Sequence, residues 1–194
     1  MGEAFTLAYK TGQWHHGSGS GSSPANTRAY RKFLAAYMRE RQIKSVLDIG
    51  CGDWQFSRLI DWTGIAYTGL DVVPAVLEHN WERYWKPGLR FECGDVLNGW
   101  QLPRTDLVLC KDLFQHWPDA AIHQLGARLA GRRALLTYDF SWFWPHEDIA
   151  PGGYRSLDLA APPFSWPVTE LLRYESVSHE RTVRRVKVVM ELAP

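Results

Sequence analysis

The sequence has few cysteines, and they do not follow the pattern of a disulfide-rich or metal-binding protein. Cys51, Cys93 and Cys110 are the three cysteines of the chain. Their odd number and their places at predicted strand ends or turns are typical of reduced thiols in a cytoplasmic protein. They form no CxxC pair and accompany no histidine cluster, so we expect neither a disulfide framework nor a bound metal.

The sequence also lacks a long hydrophobic run and an excess of charge of one sign. Nothing in it approaches the roughly 18 apolar residues of a membrane span, and its first residues lack the apolar stretch of a signal peptide. Its 22 Lys and Arg balance 21 Asp and Glu, for a net charge of +1. Proteins that bind phosphate backbones usually carry a strong basic excess. We therefore expect a cytoplasmic protein that binds neither a membrane nor nucleic acid, and the sequence does not indicate its oligomeric state.

What is present is typical of one ordinary α/β domain. The 194 residues, 45% of them hydrophobic, suffice for a single core. Short apolar runs alternate with helical patterns, which indicates crossover units in a parallel sheet. We predict strands at 45–49, 66–70, 89–92, 107–110 and 133–138, helices ending near residue 41 and at 54–60, 74–84 and 118–129, and a hairpin of strands at 171–177 and 183–192. The predicted fold is a doubly wound, mostly parallel, seven-stranded sheet with a C-terminal antiparallel hairpin, whose strand order reverses beside the first strand.

Two segments outside the predicted strands and helices are expected to carry function. We expect a single domain, in which residues 1–44 form an N-terminal lid segment and helix and residues 45–194 form the α/β core with a long insert at 139–167. The stretch 17–27 is rich in Gly and Ser and leads directly into a helix, so we interpret it as a native lid, with a flexible tag remnant as the alternative. A connection as long as 139–167 is usually functional in a compact domain, and we expect it to help form the acceptor site.

The most informative segment is SVLDIGCGDW, which contains the first predicted strand and the turn that follows it. Gly50 and Gly52 let the backbone approach a ligand closely, although a lone Gly-x-Gly is weak evidence by itself. Asp71 ends the next predicted strand, roughly 20 residues further on, where a carboxylate can accept hydrogen bonds from both ribose hydroxyls of a nucleoside cofactor. The glycine turn and Asp71 therefore predict one nucleoside-binding site.

Three further residues distinguish between possible cofactors. Asp48 lies in the end of the first strand, where a carboxylate is unfavourable beside a pyrophosphate but favourable beside a cationic amino or sulfonium group. Gln55 stands where a dinucleotide-binding turn has its third glycine. Asp95 ends the third strand, where its carboxylate can accept a hydrogen bond from an adenine amino group. Together these residues favour a cationic nucleoside cofactor over a dinucleotide.

On these residues the sequence resembles the class I S-adenosylmethionine-dependent methyltransferases. The motifs that carry the resemblance are LDIGCGDW, TGLD, CGD and DLVLCKDLFQHW, and the resemblance extends over about residues 45–138. It implies a Rossmann-like fold, S-adenosylmethionine as the cofactor and transfer of a methyl group. The resemblance assigns the methionine part of the cofactor to Asp48, Gly50 and Gly52, the ribose to Asp71, the adenine to Asp95 and Val96, and the reactive end to Lys111 and Asp112, with Cys51 and Val72 completing the cofactor site.

Asp112, His116 and Asp139 are the candidate catalytic residues. Asp112 and His116 are four residues apart, so they would share a face if the stretch begins a helical turn, and the ordinary pKa of histidine suits proton removal at neutral pH. Asp139 follows the fifth strand and could bind an acceptor hydroxyl or amine. The structural alternatives are a hydrogen-bonding role in the fold for His116 and a loop-capping carboxylate for Asp139.

The acceptor is predicted to be a small molecule that is methylated at nitrogen or oxygen. The balanced charge disfavours nucleic acid, and the fourth strand is followed by KDLF instead of the NPPY-like tetrapeptide of amino-methylating nucleic-acid enzymes. The alternatives are a protein or peptide acceptor, an NAD-dependent Rossmann oxidoreductase, and a non-catalytic protein that binds S-adenosylmethionine.

Two other groups of side chains have simple structural interpretations. Rings in predicted loops are expected mainly to cover the open edge of the core, with a cation–π cage as the functional alternative; they are Trp14, Trp117, Trp142, Trp144, Tyr154 and Trp166. Basic residues near the C terminus alternate with valines, which predicts a strand with one solvated basic face; they are Arg181, Arg184, Arg185 and Lys187.

Overall fold

A central sheet organises the chain in the computed structural model, which describes residues 2–15, 17–140, 146–177 and 183–194. Within these residues seven strands form one sheet in the order β3-β2-β1-β4-β5-β7-β6. The strands are β1 Ser45–Ile49, β2 Ala66–Asp71, β3 Leu89–Cys93, β4 Leu107–Lys111, β5 Ala134–Asp139, β6 Val168–Val177 and β7 Arg184–Leu192. The first five are parallel, whereas β7 runs antiparallel to both β5 and β6. The predicted doubly wound sheet, its reversal between β1 and β4 and its C-terminal hairpin are therefore confirmed.

Helices cover both faces of this sheet. In the described part of the chain they are α1 Gly2–Thr11, α2 Arg28–Glu40, α3 Pro74–Tyr84 and α4 Asp119–Leu129. The apolar stripe of α2 packs into one hydrophobic cluster, and that of α4 packs into the other. Burial of these stripes supplies the main driving force for docking the helices, at about 25 cal/mol per Å² of apolar surface. No helix among the described residues is long and apolar enough to cross a membrane.

The structure differs from the sequence-based prediction at two local elements. The helix predicted at 54–60 is wrong, because only a 3₁₀ turn at Ser57–Leu59 forms there. Trp54 has a φ of 60°, a left-handed conformation that an α-helix does not contain, and its ring packs against Tyr67 and Phe91. Helix α1 was not predicted, since its side chains form no continuous apolar stripe and Leu7 is 60% exposed.

The topology brings the functional candidates to one edge of the sheet. Strand β1 is buried along most of its length, as expected for a central strand covered on both faces. Because β1 to β5 are parallel, their carboxyl ends lie at the same edge, where the strand order also reverses. In such sheets ligands bind in the crevice outside these strand ends.

Candidate functional site

A cavity of about 510 Å³ lies at this edge of the sheet. That volume is in the range of sites for small molecules and cofactors. Every residue that the sequence analysis assigned to the cofactor or to catalysis lines this cavity; these are Asp48, Gly50, Cys51, Gly52, Asp71, Val72, Asp95, Val96, Lys111, Asp112, His116 and Asp139. The fold thus brings the predicted site residues together, while their individual roles stay predictions.

The glycine turn after β1 needs its glycines for conformation and for space. Gly50 and Gly52 have φ values of 73° and 57°, in the left-handed region that favours glycine. A Cβ atom on Gly50 would lie 2.8 Å from Cδ1 of Leu113, and one on Gly52 would lie 2.2 Å from Oγ of Ser18. The backbone amides of Gly50 and Cys51 both donate to the carbonyl of Leu70, which fixes the turn against β2.

Asp71 ends β2 directly beside this turn. Its Oδ2 accepts a hydrogen bond from the amide of Gly52 at 3.0 Å, and its Oδ1 accepts one from the amide of Val73 at 3.1 Å. Burial raises the pKa of Asp71, and the backbone donors partly offset that effect. Each carboxylate oxygen can accept more than one hydrogen bond, so both keep capacity for a ligand in the cavity.

Two other carboxylates line the same region of the cavity. Burial raises the pKa of Asp48 to about 6, although the hydroxyl of Tyr67 donates to it at 2.6 Å and Lys111 lies close. Asp48 is therefore mostly ionised at neutral pH. Asp95 accepts hydrogen bonds from the amide of Leu97 at 2.8 Å and from the side chain of Asn98 at 2.7 Å, which orders the turn after β3.

The stretch 17–27 packs against the glycine turn and contributes to the cavity wall. Oγ of Ser18 accepts a hydrogen bond from the amide of Asp53 at 2.9 Å, and the amide of Ser18 donates to Oδ2 of Asp53 at 3.1 Å. Tyr9 of α1 also hydrogen-bonds Ser18, at 2.6 Å. Sequence reasoning missed Tyr9 and Ser18, because the contact that brings Ser18 to the glycine turn joins residues 35 positions apart and Tyr9 reaches the turn through Ser18.

Replacement of Gly52 by Ala is expected to release this stretch from the glycine turn. The new Cβ would overlap Oγ of Ser18, which already holds two hydrogen bonds, so the Ser18 contacts would break at a cost of about 1–3 kcal/mol. Amide hydrogen exchange over residues 18–22 should then accelerate about tenfold or more. Gly64→Ala is the matched control, because Gly64 has a similar φ of 75° but no atom within 4 Å of its Cβ position. Equal exchange in the two variants would contradict the assigned contacts.

Five charged side chains meet where β4, β5 and β7 reach the cavity, and we call them the charge cluster: Lys111, Asp112, Asp139, Arg185 and Lys187. Nζ of Lys187 lies 2.8 Å from Oδ1 of Asp112 and 2.7 Å from Oδ1 of Asp139. Nζ of Lys111 lies 2.6 Å from Oδ2 of Asp112 and also donates to the carbonyl of Gly21 in the stretch 17–27.

The electrostatics of the charge cluster are dominated by burial and by these pairs. Burial alone would raise the pKa of Asp112, but Lys111 and Lys187 outweigh it and lower that pKa to about 2. Burial lowers the pKa of Lys111, whereas Asp112 and Asp139 overcome the same effect and raise the pKa of Lys187. Asp112 and Lys187 are therefore both charged at neutral pH.

The prediction of a solvated basic face on the last strand is wrong for Lys187. This side chain is 1% exposed, because β7 lies between β5 and β6 and is covered on both faces at this point. Arg184 is exposed as predicted, and Arg181 lies outside the described residues. The expectation that Asp112 and His116 share a helical face is also wrong, since Asp112 has a left-handed φ of 55° and precedes the 3₁₀ turn at Phe114–His116.

His116 lies in the cavity wall between aromatic rings. Its ring centroid is 5.2 Å from that of Trp14 and 5.9 Å from that of Tyr154. Nδ1 lies 2.8 Å from the carbonyl oxygen of Gly153, which can only accept, so Nδ1 carries the proton of the neutral ring. Burial lowers the pKa of His116, which keeps the ring neutral at pH 7. Its Nε2 has no hydrogen-bond partner among the described residues.

The insert at 139–167 reaches the cavity through Tyr154. The Tyr154 hydroxyl donates to Oδ2 of Asp139 at 2.8 Å, and Oε1 of Gln115 accepts from the amide of Asp139. The carboxylate of Asp139 thus contacts side chains of its own insert, of the 3₁₀ turn at Phe114–His116 and of β7. Trp117 and Trp166 pack against Phe114 in the core, as predicted, while Trp142 and Trp144 lie outside the described residues.

Comparisons with known proteins agree with this fold. Residues 46–132 match the family model of a methyltransferase domain. The malonyl-[acyl-carrier protein] O-methyltransferase of Acetivibrio thermocellus is 28% identical over 76 residues, which are 38% of this chain. The matched region is 27% of that protein, so the chain spans about a quarter of the curated relative.

Two solved structures are similar over most of the chain. The 1,6-didemethyltoxoflavin-N1-methyltransferase of Burkholderia thailandensis, with its acceptor and S-adenosylhomocysteine bound, has a TM-score of 0.68 and 18% identity, over 100% of this chain and 87% of that one. The N-methyltransferase NodS of Bradyrhizobium japonicum, in complex with S-adenosylhomocysteine, has a TM-score of 0.61 and 15% identity, over 87% of this chain and 88% of that one.

Sheet order, strand-end site and structural likeness together define a Rossmann-like methyltransferase fold. The family match over residues 46–132 and this fold both support the resemblance to the class I S-adenosylmethionine-dependent methyltransferases that the sequence motifs indicate. Both solved structures named above are complexes with S-adenosylhomocysteine, the product of S-adenosylmethionine, which agrees with the cofactor inferred from the sequence.

Proposed function

We propose that this chain transfers the methyl group of S-adenosylmethionine to a nitrogen or oxygen atom of a small-molecule acceptor. The observation that carries the proposal is that the glycine turn and Asp71 line the same cavity at the strand ends as His116 and the charge cluster. Both solved relatives named above are N-methyltransferases, and one holds a small-molecule acceptor, which supports the same class of acceptor here.

The residues around the glycine turn fit the cofactor. Gly50 and Gly52 line the cavity with backbone that carries no side chain, so the methionine part can lie against the turn. Asp71 retains acceptor capacity for the ribose hydroxyls, and Asp95 and Val96 follow β3 where the adenine would lie. Asp48 and Lys111 offer opposite charges for the amino and carboxylate groups of the methionine part. When bound, S-adenosylmethionine supplies a methyl group activated by its sulfonium.

Methyl transfer needs alignment and exclusion of water more than strong acid–base chemistry. A bond forms from the acceptor nitrogen or oxygen to the methyl carbon while the carbon–sulfur bond breaks, and the acceptor proton must leave. We propose that Nε2 of His116 takes this proton, because Gly153 holds the ring in the tautomer with a free lone pair on that atom. The stretch 17–27 and the rings of Trp14 and Tyr154 form the cavity walls that exclude water.

The contacts of Asp112 and Asp139 favour a positioning role over the catalytic role predicted from the sequence. Both oxygens of Asp112 lie within ion-pair distance of a lysine, and Asp139 lies against Lys187 and the Tyr154 hydroxyl. The Asp112 carboxylate is a poor proton acceptor, because Lys111 and Lys187 stabilise its ionised form and lower its pKa. We therefore propose that Asp112 and Asp139 position the two lysines and Tyr154.

Methyl-donor consumption with pooled metabolites and peptides tests the proposed function. We expect S-adenosylhomocysteine to accumulate with at least one pool of small amines, phenols or acids, as measured by mass spectrometry. Turnover with peptide pools alone would show that the acceptor is a peptide and not a small molecule. Binding of S-adenosylhomocysteine without turnover on any pool would instead favour a non-catalytic binding protein.

The variant His116→Gln is expected to lower kcat by roughly 10²- to 10⁴-fold with the identified acceptor, the range for loss of a general base. In the wild-type protein kcat should fall as the pH drops below the lowered pKa of His116, because the protonated ring cannot accept a proton. Asp48 also titrates at about pH 6, so the variant is needed to assign this acidic limb. His123→Gln is the control, since His123 is exposed and lies outside the cavity lining. An unchanged pH profile in His116→Gln would refute the assignment.

A further inference from the structure

The three cations of the charge cluster differ in how closely neighbouring carboxylates neutralise their charge. Lys187 lies between two carboxylates, at 2.8 and 2.7 Å, and Lys111 lies 2.6 Å from one and donates to a backbone carbonyl. Arg185 makes one ion pair among the described residues, a long contact of 3.4 Å between Nη1 and Oδ2 of Asp139. That same oxygen already accepts the Tyr154 hydroxyl at 2.8 Å. Most of the donors of the Arg185 guanidinium are therefore unused by the charge cluster.

Arg185 is also the most accessible member of the charge cluster. Its side chain is 35% exposed, whereas the side chains of Lys111 and Lys187 are 3% and 2% exposed. Arg185 lines the cavity, and its guanidinium carbon lies 4.4 Å from the centroid of the Tyr154 ring. This contact holds the guanidinium over the ring and leaves N–H donors for hydrogen bonding, and a guanidinium can bind carboxylates and phosphates in a bidentate manner.

The same Tyr154 ring connects Arg185 to the proposed general base. The His116 ring contacts those of Tyr154 and Trp14, to which it is tilted by 50° and 43°, so aromatic side chains line the cavity wall from Arg185 to His116. A planar molecule can pack on these rings with its polar groups at its edges. Because Arg185 and His116 contact one ring, a single small aromatic molecule can reach both.

We infer that the acceptor is a small planar molecule that carries an anionic group, bound by Arg185, and a nucleophilic nitrogen or oxygen directed at His116. The inference rests on the proposed methyl transfer and specifies its substrate class. The anionic group also offsets the positive charge that the sulfonium of S-adenosylmethionine brings into the cavity. A carboxylate and a phosphate share this chemistry, and the experiment below separates them.

Binding of matched acids and neutral analogues tests this inference. The probes are the hydroxybenzoates and aminobenzoates, their carboxamides, and phenyl phosphate, titrated by calorimetry into protein saturated with S-adenosylhomocysteine. We expect at least one acid to bind, and its carboxamide to bind about tenfold more weakly or worse, as for loss of a charge-assisted hydrogen bond. Tighter binding of phenyl phosphate than of every benzoate would assign the anion as a phosphate.

Arg185→Gln should weaken binding of the acid by about tenfold or more and leave binding of the carboxamide within about twofold. Arg184→Gln is the matched control on the same strand, because its side chain is 79% exposed and pairs with Glu175 outside the cavity. Equal affinity of acids and carboxamides, no binding by any acid, or equal effects of the two variants would overturn the inference. S-adenosylhomocysteine would still bind in those cases, whereas failure of the proposed function would show as loss of that binding or of all turnover.

Discussion

Replacement of Lys187 by Met is expected to lower the free energy of unfolding by about 3–5 kcal/mol, the range for breaking a buried ion pair from one side. Met fills a similar volume, but Asp139, which is 1% exposed, would lose the ammonium at 2.7 Å from its Oδ1. Asp112 would lose one of its two lysines. Urea unfolding, read as the change in midpoint at constant slope, measures the effect.

The control for this prediction lies three residues away on the same strand. Arg184→Met removes an exposed cation and should change the stability by less than about 0.5 kcal/mol. The double variant Lys187→Met with Asp139→Asn should recover part of the loss, because the remaining buried group is neutral. A Lys187→Met protein as stable as the wild type would show that the charge cluster does not depend on Lys187.

Asp71→Asn is expected to weaken binding of S-adenosylhomocysteine by roughly 10- to 100-fold, the loss of a charged acceptor. The amides of Gly52 and Val73 already donate to the two oxygens of Asp71, and the ribose hydroxyls would donate as well. The amide NH₂ of Asn would face one of these donors, so a hydrogen bond would be replaced by a repulsive contact.

Calorimetry of folded protein measures this effect, and Asp61→Asn serves as the control. Asp61 is exposed and caps a surface turn through Thr63, so its variant should bind S-adenosylhomocysteine like the wild type. An affinity of Asp71→Asn within about twofold of the wild type would refute the ribose assignment.

The sheet and the position of the glycine turn and Asp71 in the cavity could be predicted because their signals are local. Each parallel strand is a short apolar run, and strand β1 and helix α3 have the predicted bounds, 45–49 and 74–84. Gly50, Gly52 and Asp71 follow strands directly, so the topology alone brings them to one edge of the sheet. The spacing along the sequence therefore determines where these residues lie in the fold.

The proposed acceptor side of the cavity could not be predicted, since it is assembled from contacts between segments that are distant along the chain. Lys187 alternates with valines as an exposed strand residue would, and only the pairing of β7 between β5 and β6 makes it buried. The tautomer of His116 depends on the carbonyl of Gly153, in an insert without periodic pattern. Helix α1 lacks the periodic apolar pattern that predicts a helix, because Phe5 and Ala8 are its only buried residues among those described.

The most direct test of the account is calorimetric titration of the wild-type protein with S-adenosylhomocysteine and, separately, with NAD. Asp48, the glycine turn and Asp71 line one cavity, and Gln55 replaces the third glycine of a dinucleotide-binding turn. We predict saturable binding of S-adenosylhomocysteine at one site per chain and no detectable binding of NAD. Binding of NAD without binding of S-adenosylhomocysteine would contradict the assignment of the cavity and, with it, the proposed methyl transfer.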